Sequence, residues 1–102
     1  MNFSTHDRKM MARALVMAAK GRFTAAPNPA VGCVISIDEN IVGEGYTRPA
    51  GENHAEIEAL NMVQDPVGCC VYVTLEPCSH RGRTGPCAQA LIDAGVARVV
   101  IA

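Results

Sequence analysis

Apolar positions along the chain fall into four strand-like and three helix-like stretches. Over residues 6–20, Met10, Met11, Ala14, Leu15 and Ala18 recur at the three- and four-residue spacing of a helical face. Ser4, Thr5 or Asp7 can cap its start and Gly21 can end it. Residues 31–37 are almost continuously apolar, as a strand buried on both faces would be. Asp38-Glu39-Asn40 reads as a turn, and residues 41–45 as the returning strand of a hairpin, short and glycine-rich enough for a sheet edge. Residues 54–64 form the second helix, with Asn53 available as cap and Ile57, Leu60, Met62 and Val63 on its inner side. A third strand covers 70–75, a third helix runs from Pro86 to Ala94 before Gly95, and a last strand covers 96–101.

The resulting order is α-β-β-α-β-α-β. A strand–helix–strand connection returns the chain parallel to itself, so the last two crossovers predict parallel neighbours with helices packed on the sheet. In such open α/β sheets, sites form at the carboxyl ends of strands, beside helix N-termini. Between the first helix and first strand, residues 22–30 carry Pro27-Asn28-Pro29 and suit neither helix nor central strand. A rigid loop of this kind can aim the Asn28 amide at a heterocycle edge, or Asn28 can be a simple turn residue.

Composition narrows the class. At 102 residues the chain is one domain, with 49% hydrophobic and 19% charged residues, the profile of a soluble globular chain. A net charge of −1 without aromatic interleaving argues against a nucleic-acid partner. No apolar run approaches the ~20 residues of a membrane span, and no secretory signal is present, so a cytoplasmic location and no membrane partner are expected. Five cysteines, an odd number with Cys69 and Cys70 adjacent, fit reduced thiols better than a disulfide scaffold. Cys33 lies inside an apolar strand and reads as a small buried hydrophobe, while Cys69 and Cys70 carry no expected chemistry.

The chemistry concentrates in His54-Ala55-Glu56 and in the segment from Pro77 to Cys87. His54, Cys78 and Cys87 offer one imidazole and two thiols, three of the four tetrahedral ligands that Zn²⁺ takes. A fourth position left to water allows the metal to lower that water's pKa to about 7. Glu56, two residues past the histidine, is then the natural carrier of protons. Zinc deaminases acting on nucleobases use an H-x-E…P-C-x-x-C arrangement of this kind. Here the second cysteine follows nine positions after the first. A closed structural site remains the alternative, with His80 as fourth ligand. Glu56 has no purpose in such a site, and Cys78-x-His80 places the imidazole very close to the thiolate along the chain.

The stretches 24–35, 43–46, 50–56 and 73–87 resemble the deaminase domain of the bifunctional riboflavin biosynthesis deaminase–reductase, over nearly the whole chain. The long Cys-x₈-Cys segment separates it from cytidine, guanine and tRNA-adenosine deaminases. The resemblance implies a cytidine-deaminase-like αβα three-layer sandwich with a mixed sheet. It implies hydrolytic deamination of 2,5-diamino-6-ribosylamino-4(3H)-pyrimidinone 5′-phosphate, a small phosphoribosyl-pyrimidine. By matched position, His54, Cys78 and Cys87 would bind zinc and Glu56 would move the protons. Asn28 and Ala55 would contact the pyrimidine, and His80 and Arg83 the ribose phosphate, with Arg81 a solvated surface residue. Thr47 stands where the family usually has a substrate-pocket histidine. A substrate-holding Asp-Pro-Asn-Pro loop, further deaminase elements and an NADPH-dependent reductase domain of the family are absent from these residues. Residues 1–102 are thus expected to be an incomplete deaminase domain, truncated at the C-terminus, that binds zinc but turns over weakly, with a homo-oligomer expected of the full-length form. Deamination of another base or nucleotide, or a structural zinc module without catalysis, are the competing readings.

Overall fold

A computed structural model describes residues 3–21, 30–48, 54–74 and 86–102, with Pro86 and Cys87 described by backbone alone. Residues 22–29 of the expected loop at 22–30, residues 49–53 preceding His54, and the segment from Leu75 through Gly85 lie outside the described residues.

Helix α1, Thr5–Lys20, starts on a reciprocal cap. The Ser4 hydroxyl accepts the Asp7 N–H and the Asp7 carboxylate accepts the Ser4 N–H, each at 3.0 Å. Two of the helix's orphan amides are thereby satisfied, a feature typically contributing about 1 kcal/mol. The inward stripe is Asp7, Met10, Ala14 and Met17. Leu15, expected on that face, is 55% exposed, and Met17 takes its place. The reason lies in the sheet below: a Cβ on Gly32 would stand 1.9 Å from the Ala14 carbonyl oxygen. The helix therefore rests with Ala14 over Gly32, a rotation that carries Leu15 to the outside.

Strands β1 (Gly32–Ile37), β2 (Asn40–Tyr46), β3 (Cys70–Val73) and β4 (Arg98–Ile101) form one mixed sheet in the order β2-β1-β3-β4. β1 pairs antiparallel with both β2 and β3, and β3 pairs parallel with β4. The expected parallel adjacency therefore holds for the last crossover only. In the preceding one, β2 and β3 run the same way but β1 lies between them. β1 is the strand whose residues are buried on both faces, and a central place gives it a partner on each side.

Helices α2 (Ala55–Asn61) and α3 (Pro86–Ala94) pack on the face opposite α1. That layer joins Cys33, Ile35, Val71 and Val73 of the sheet to Ala55, Ala59 and Leu91. On the other face Val34, Tyr72 and Val100 meet Met10, Ala14 and Met17. The result is the expected three-layer αβα sandwich. α2 is shorter than expected, its N-cap is His54, and Met62 beyond its end is 64% exposed. Its inner side is built on Ala55 and Ala59, with Leu60 and Val63 only partly buried.

One polar cluster crosses the α1 layer. Tyr72 donates its hydroxyl to Asp7 Oδ1 at 2.7 Å, and Arg98 forks onto the same carboxylate at 2.8 and 3.0 Å. The Arg98 guanidinium, then the Tyr72 hydroxyl and the Ser4 amide, hold the Asp7 carboxyl well below the usual carboxylate range. Burial, reinforced by the Asp7 charge, pushes the Tyr72 phenol up to about 12.

Candidate metal centre

Because β1 runs antiparallel to β2 and β3, its start lies at the end of the sheet where those two strands finish. Two threonines secure that junction. Val31 N–H donates to Thr47 Oγ1 at 2.8 Å, and Thr47 N–H donates to the Val31 carbonyl at 3.0 Å. Gly32 N–H donates to Thr74 Oγ1 at 3.1 Å, and Thr74 N–H donates to the Gly32 carbonyl at 3.1 Å. The chain arriving from Asn28 is thus clamped between the segments that lead onward to His54 and to Cys78. The Thr47 hydroxyl is committed to the Val31 backbone, accepting its N–H and donating to its carbonyl.

The first turn of α2 is set by glycines of β2. A Cβ on Gly45 would lie 2.4 Å from the Ala55 carbonyl oxygen and 2.8 Å from the Ala59 nitrogen. A Cβ on Gly43 would lie 2.5 Å from the Ala59 carbonyl oxygen. These two glycines, read from the sequence only as signs of an edge strand, let the helix backbone lie directly on the sheet. Ala55 is fully buried there and Glu56 is 3% exposed. His54 is exposed at the N-cap with extended backbone, φ −74° and ψ 165°, and its imidazole makes no cap bond to the helix. Its carbonyl accepts the Glu58 N–H at 3.0 Å.

Alongside, Arg48 donates from Nε to Glu58 Oε1 and from Nη1 to the Tyr46 hydroxyl, both at 2.8 Å, with its guanidinium 4.8 Å from the Tyr46 ring centroid. No sequence signal points to this cluster, because its members lie on a strand end, a connecting segment and a helix.

α3 opens at Pro86, so Cys87 is its second residue. α2 and α3 follow strands of the same direction and share one layer, which starts both helices at the same end of the sheet. His54, Ala55 and Glu56 are thereby gathered on one turn, with the backbone of Cys87 at the start of the companion helix. Cys78, Asn28, His80 and Arg83 lie outside the described residues. Among the described residues no three His, Cys, Asp or Glu side chains gather as a ligand set. The expected set contains Cys78 and has the nitrogen-and-sulfur chemistry that suits zinc. Cys33 and Cys69 are buried, and burial raises the Cys69 thiol's pKa, so Cys69 offers no ready thiolate. Among the described residues, no helix is long and apolar enough to cross a membrane.

Comparison with known proteins agrees with this fold. Residues 4–102 match the family described as "Cytidine and deoxycytidylate deaminase zinc-binding region". The chain is 63% identical over 95 residues to riboflavin biosynthesis protein RibD of Escherichia coli, covering 92% of this chain and 26% of that protein. It is 55% identical over 97 residues to a diaminohydroxyphosphoribosylamino-pyrimidine deaminase of Buchnera aphidicola subsp. Acyrthosiphon pisum, covering 94% of this chain and 66% of that one. The solved structure of Acinetobacter baumannii RibD superposes with a TM-score of 0.87 at 47% identity, over 95% of this chain and 28% of that one. The chain thus spans about a quarter of the RibD relatives and about two thirds of the shorter deaminase. With the sandwich and a match over residues 4–102 in agreement, this chain belongs to the cytidine and deoxycytidylate deaminase family through its zinc-binding region.

Proposed function

We propose that this chain carries the zinc-dependent hydrolytic deamination of 2,5-diamino-6-ribosylamino-4(3H)-pyrimidinone 5′-phosphate in riboflavin biosynthesis. The observation that carries the reading is Glu56, a carboxylate 3% exposed in the turn that begins at the candidate ligand His54. A buried acid beside a candidate metal ligand has a ready role in proton transfer. Support for the substrate comes from identity to relatives named for this deaminase, and from the Cys78-x₈-Cys87 spacing, on which the resemblance to the riboflavin deaminase domain rests.

His54, Cys78 and Cys87 would hold zinc. Zinc bound there supplies Lewis-acid character and lowers the pKa of a water to about 7. The reaction exchanges a ring amine for a carbonyl oxygen taken from water and releases ammonia. Glu56 would take one proton from the attacking water and give it to the ring nitrogen, then take the second from the hydroxyl added to the ring carbon and give it to the departing amine, so that the hydroxyl becomes the carbonyl and the amine leaves as ammonia. Asn28 and the Ala55 backbone region orient the pyrimidine. His80 and Arg83 supply cationic partners for the phosphate, a role suited to a guanidinium. A small phosphorylated substrate, with no nucleic acid and no membrane, suits a cytoplasmic enzyme.

Ammonia release from this substrate, measured for zinc-loaded protein and for Glu56→Gln, tests the proposal. A fall of about 10²–10⁴-fold in the variant with zinc content unchanged is expected. Equal turnover in both would remove Glu56 from the mechanism, and a preference for a substrate lacking the 5′-phosphate would reassign the substrate.

A further inference from the structure

We propose that Arg48 and Glu58 form a positioning pair for the metal centre, fixing the turn that carries His54 and Glu56 against the end of β2. The inference rests on His54 as a zinc ligand and not on the identity of the substrate.

Glu58 holds the turn in two ways. Its backbone N–H donates to the His54 carbonyl at 3.0 Å, so the residue sits directly over the candidate ligand's peptide. Its Cβ lies over Gly45, 2.8 Å from where a Cβ on that glycine would stand, so the base of its side chain packs on the strand. The Glu58 carboxylate then accepts Arg48 Nε at 2.8 Å. Arg48 is itself restrained by stacking on Tyr46 and by the bond to its hydroxyl. Tyr46 is the last residue of β2, so the guanidinium links the strand end to the helix and brackets the connection that ends at His54. Glu56 lies between the two anchored residues on the same turn.

The pair is partly exposed, with side-chain accessibilities of 41% and 26%, and a bare surface ion pair adds little to global stability. Its consequence is geometric. A ligand must be held in one orientation, and groups supporting a metal ligand directly typically change affinity ~10–100-fold. Arg48 and Glu58 act one step further out, so a smaller effect is expected.

A second ion pair gives the control. Arg13 of α1 bonds Glu44 of the same strand, through Nη2 to Oε1 at 3.0 Å and through Nε to Oε2. It ties α1 to β2 rather than α2 to β2. Zinc affinity, measured by competition with a chromogenic chelator, is compared for the parent, Arg48→Gln, Glu58→Gln, their double variant and Arg13→Gln. Each single change at the pair should weaken zinc binding about three- to tenfold. The double variant should match the singles, as two members of one unit do. Arg13→Gln should bind zinc as the parent does. Single effects within twofold of the parent, multiplying effects in the double, or an equal loss in Arg13→Gln would each overturn the proposal. A parent that binds no zinc overturns this inference together with the metal centre. A parent that binds zinc and releases no ammonia overturns only the deaminase reading.

Discussion

Asp7 accepts from the Ser4 amide, the Tyr72 hydroxyl and both terminal nitrogens of Arg98, and its ionised form is what all of these donors favour. Its folded pKa is depressed, so the stability it contributes is present above the ordinary aspartate value and is lost as pH falls toward the depressed one. Urea midpoints followed below about pH 4 should therefore fall more steeply for the parent than for Asp7→Asn. Tyr72 has the opposite sign at the other end of the scale. Its folded pKa is raised from 10.0 to about 12, so its contribution is whole below pH 10 and is lost as pH rises through that interval. Tyr72→Phe should flatten the alkaline limb between those values, and an unchanged limb would show that the phenol does not ionise with unfolding. Neither residue stands out from sequence spacing. Asp7 reads there as one of three possible caps, because its partners are on β3 and β4.

At the scale of elements, the contact that aims the site is α2 on β2, made possible where the strand lacks side chains. Gly45→Ala would drive a Cβ into the Ala55 carbonyl, which is backbone and cannot swing away. A loss of about 1–3 kcal/mol in unfolding free energy is expected from such overpacking, with weaker zinc binding because the His54 turn must shift. Gly68→Ala is the matched comparison. It has φ +81° and nothing within 4 Å, so it should cost about 1 kcal/mol of backbone strain and leave zinc affinity alone. Both are read by urea denaturation beside chelator competition. The same packing rule explains why the helical stripe of α1 turned out as Met10, Ala14 and Met17. Periodicity allowed more than one stripe, and Gly32 selected the one that places Ala14 over it.

For the molecule as a whole, three segments that lead to candidate ligands or substrate contacts leave the sheet at one end, and a metal there would bind the folded chain far better than the unfolded one. Removing zinc with a chelator should lower the melting temperature, since free zinc at about 100 times its Kd contributes about 2.7 kcal/mol to the folded state. Calorimetry with and without chelator checks this, and an unchanged transition would separate the metal from folding. Cys78→Ser should abolish the difference, because a hydroxyl does not replace a thiolate toward zinc.

By itself the sequence determined the element order, the buried first strand, the hairpin, and the residue types of the candidate centre. Those depend on local periodicity, turn chemistry and donor identity, which a linear pattern carries. The αβα sandwich was legible only as what the family resemblance of the motifs around His54, Cys78 and Cys87 implies. Only the tertiary structure decided that β1 stands between β2 and β3, that Gly43 and Gly45 are the bed of α2, and that His54 is the N-cap rather than the first helical residue. It alone joined Arg48 to Glu58 and Asp7 to Tyr72 and Arg98. Such pairings depend on the distance of closest approach between separate elements. Those distances are set by which side chains are missing from the strands as much as by those present.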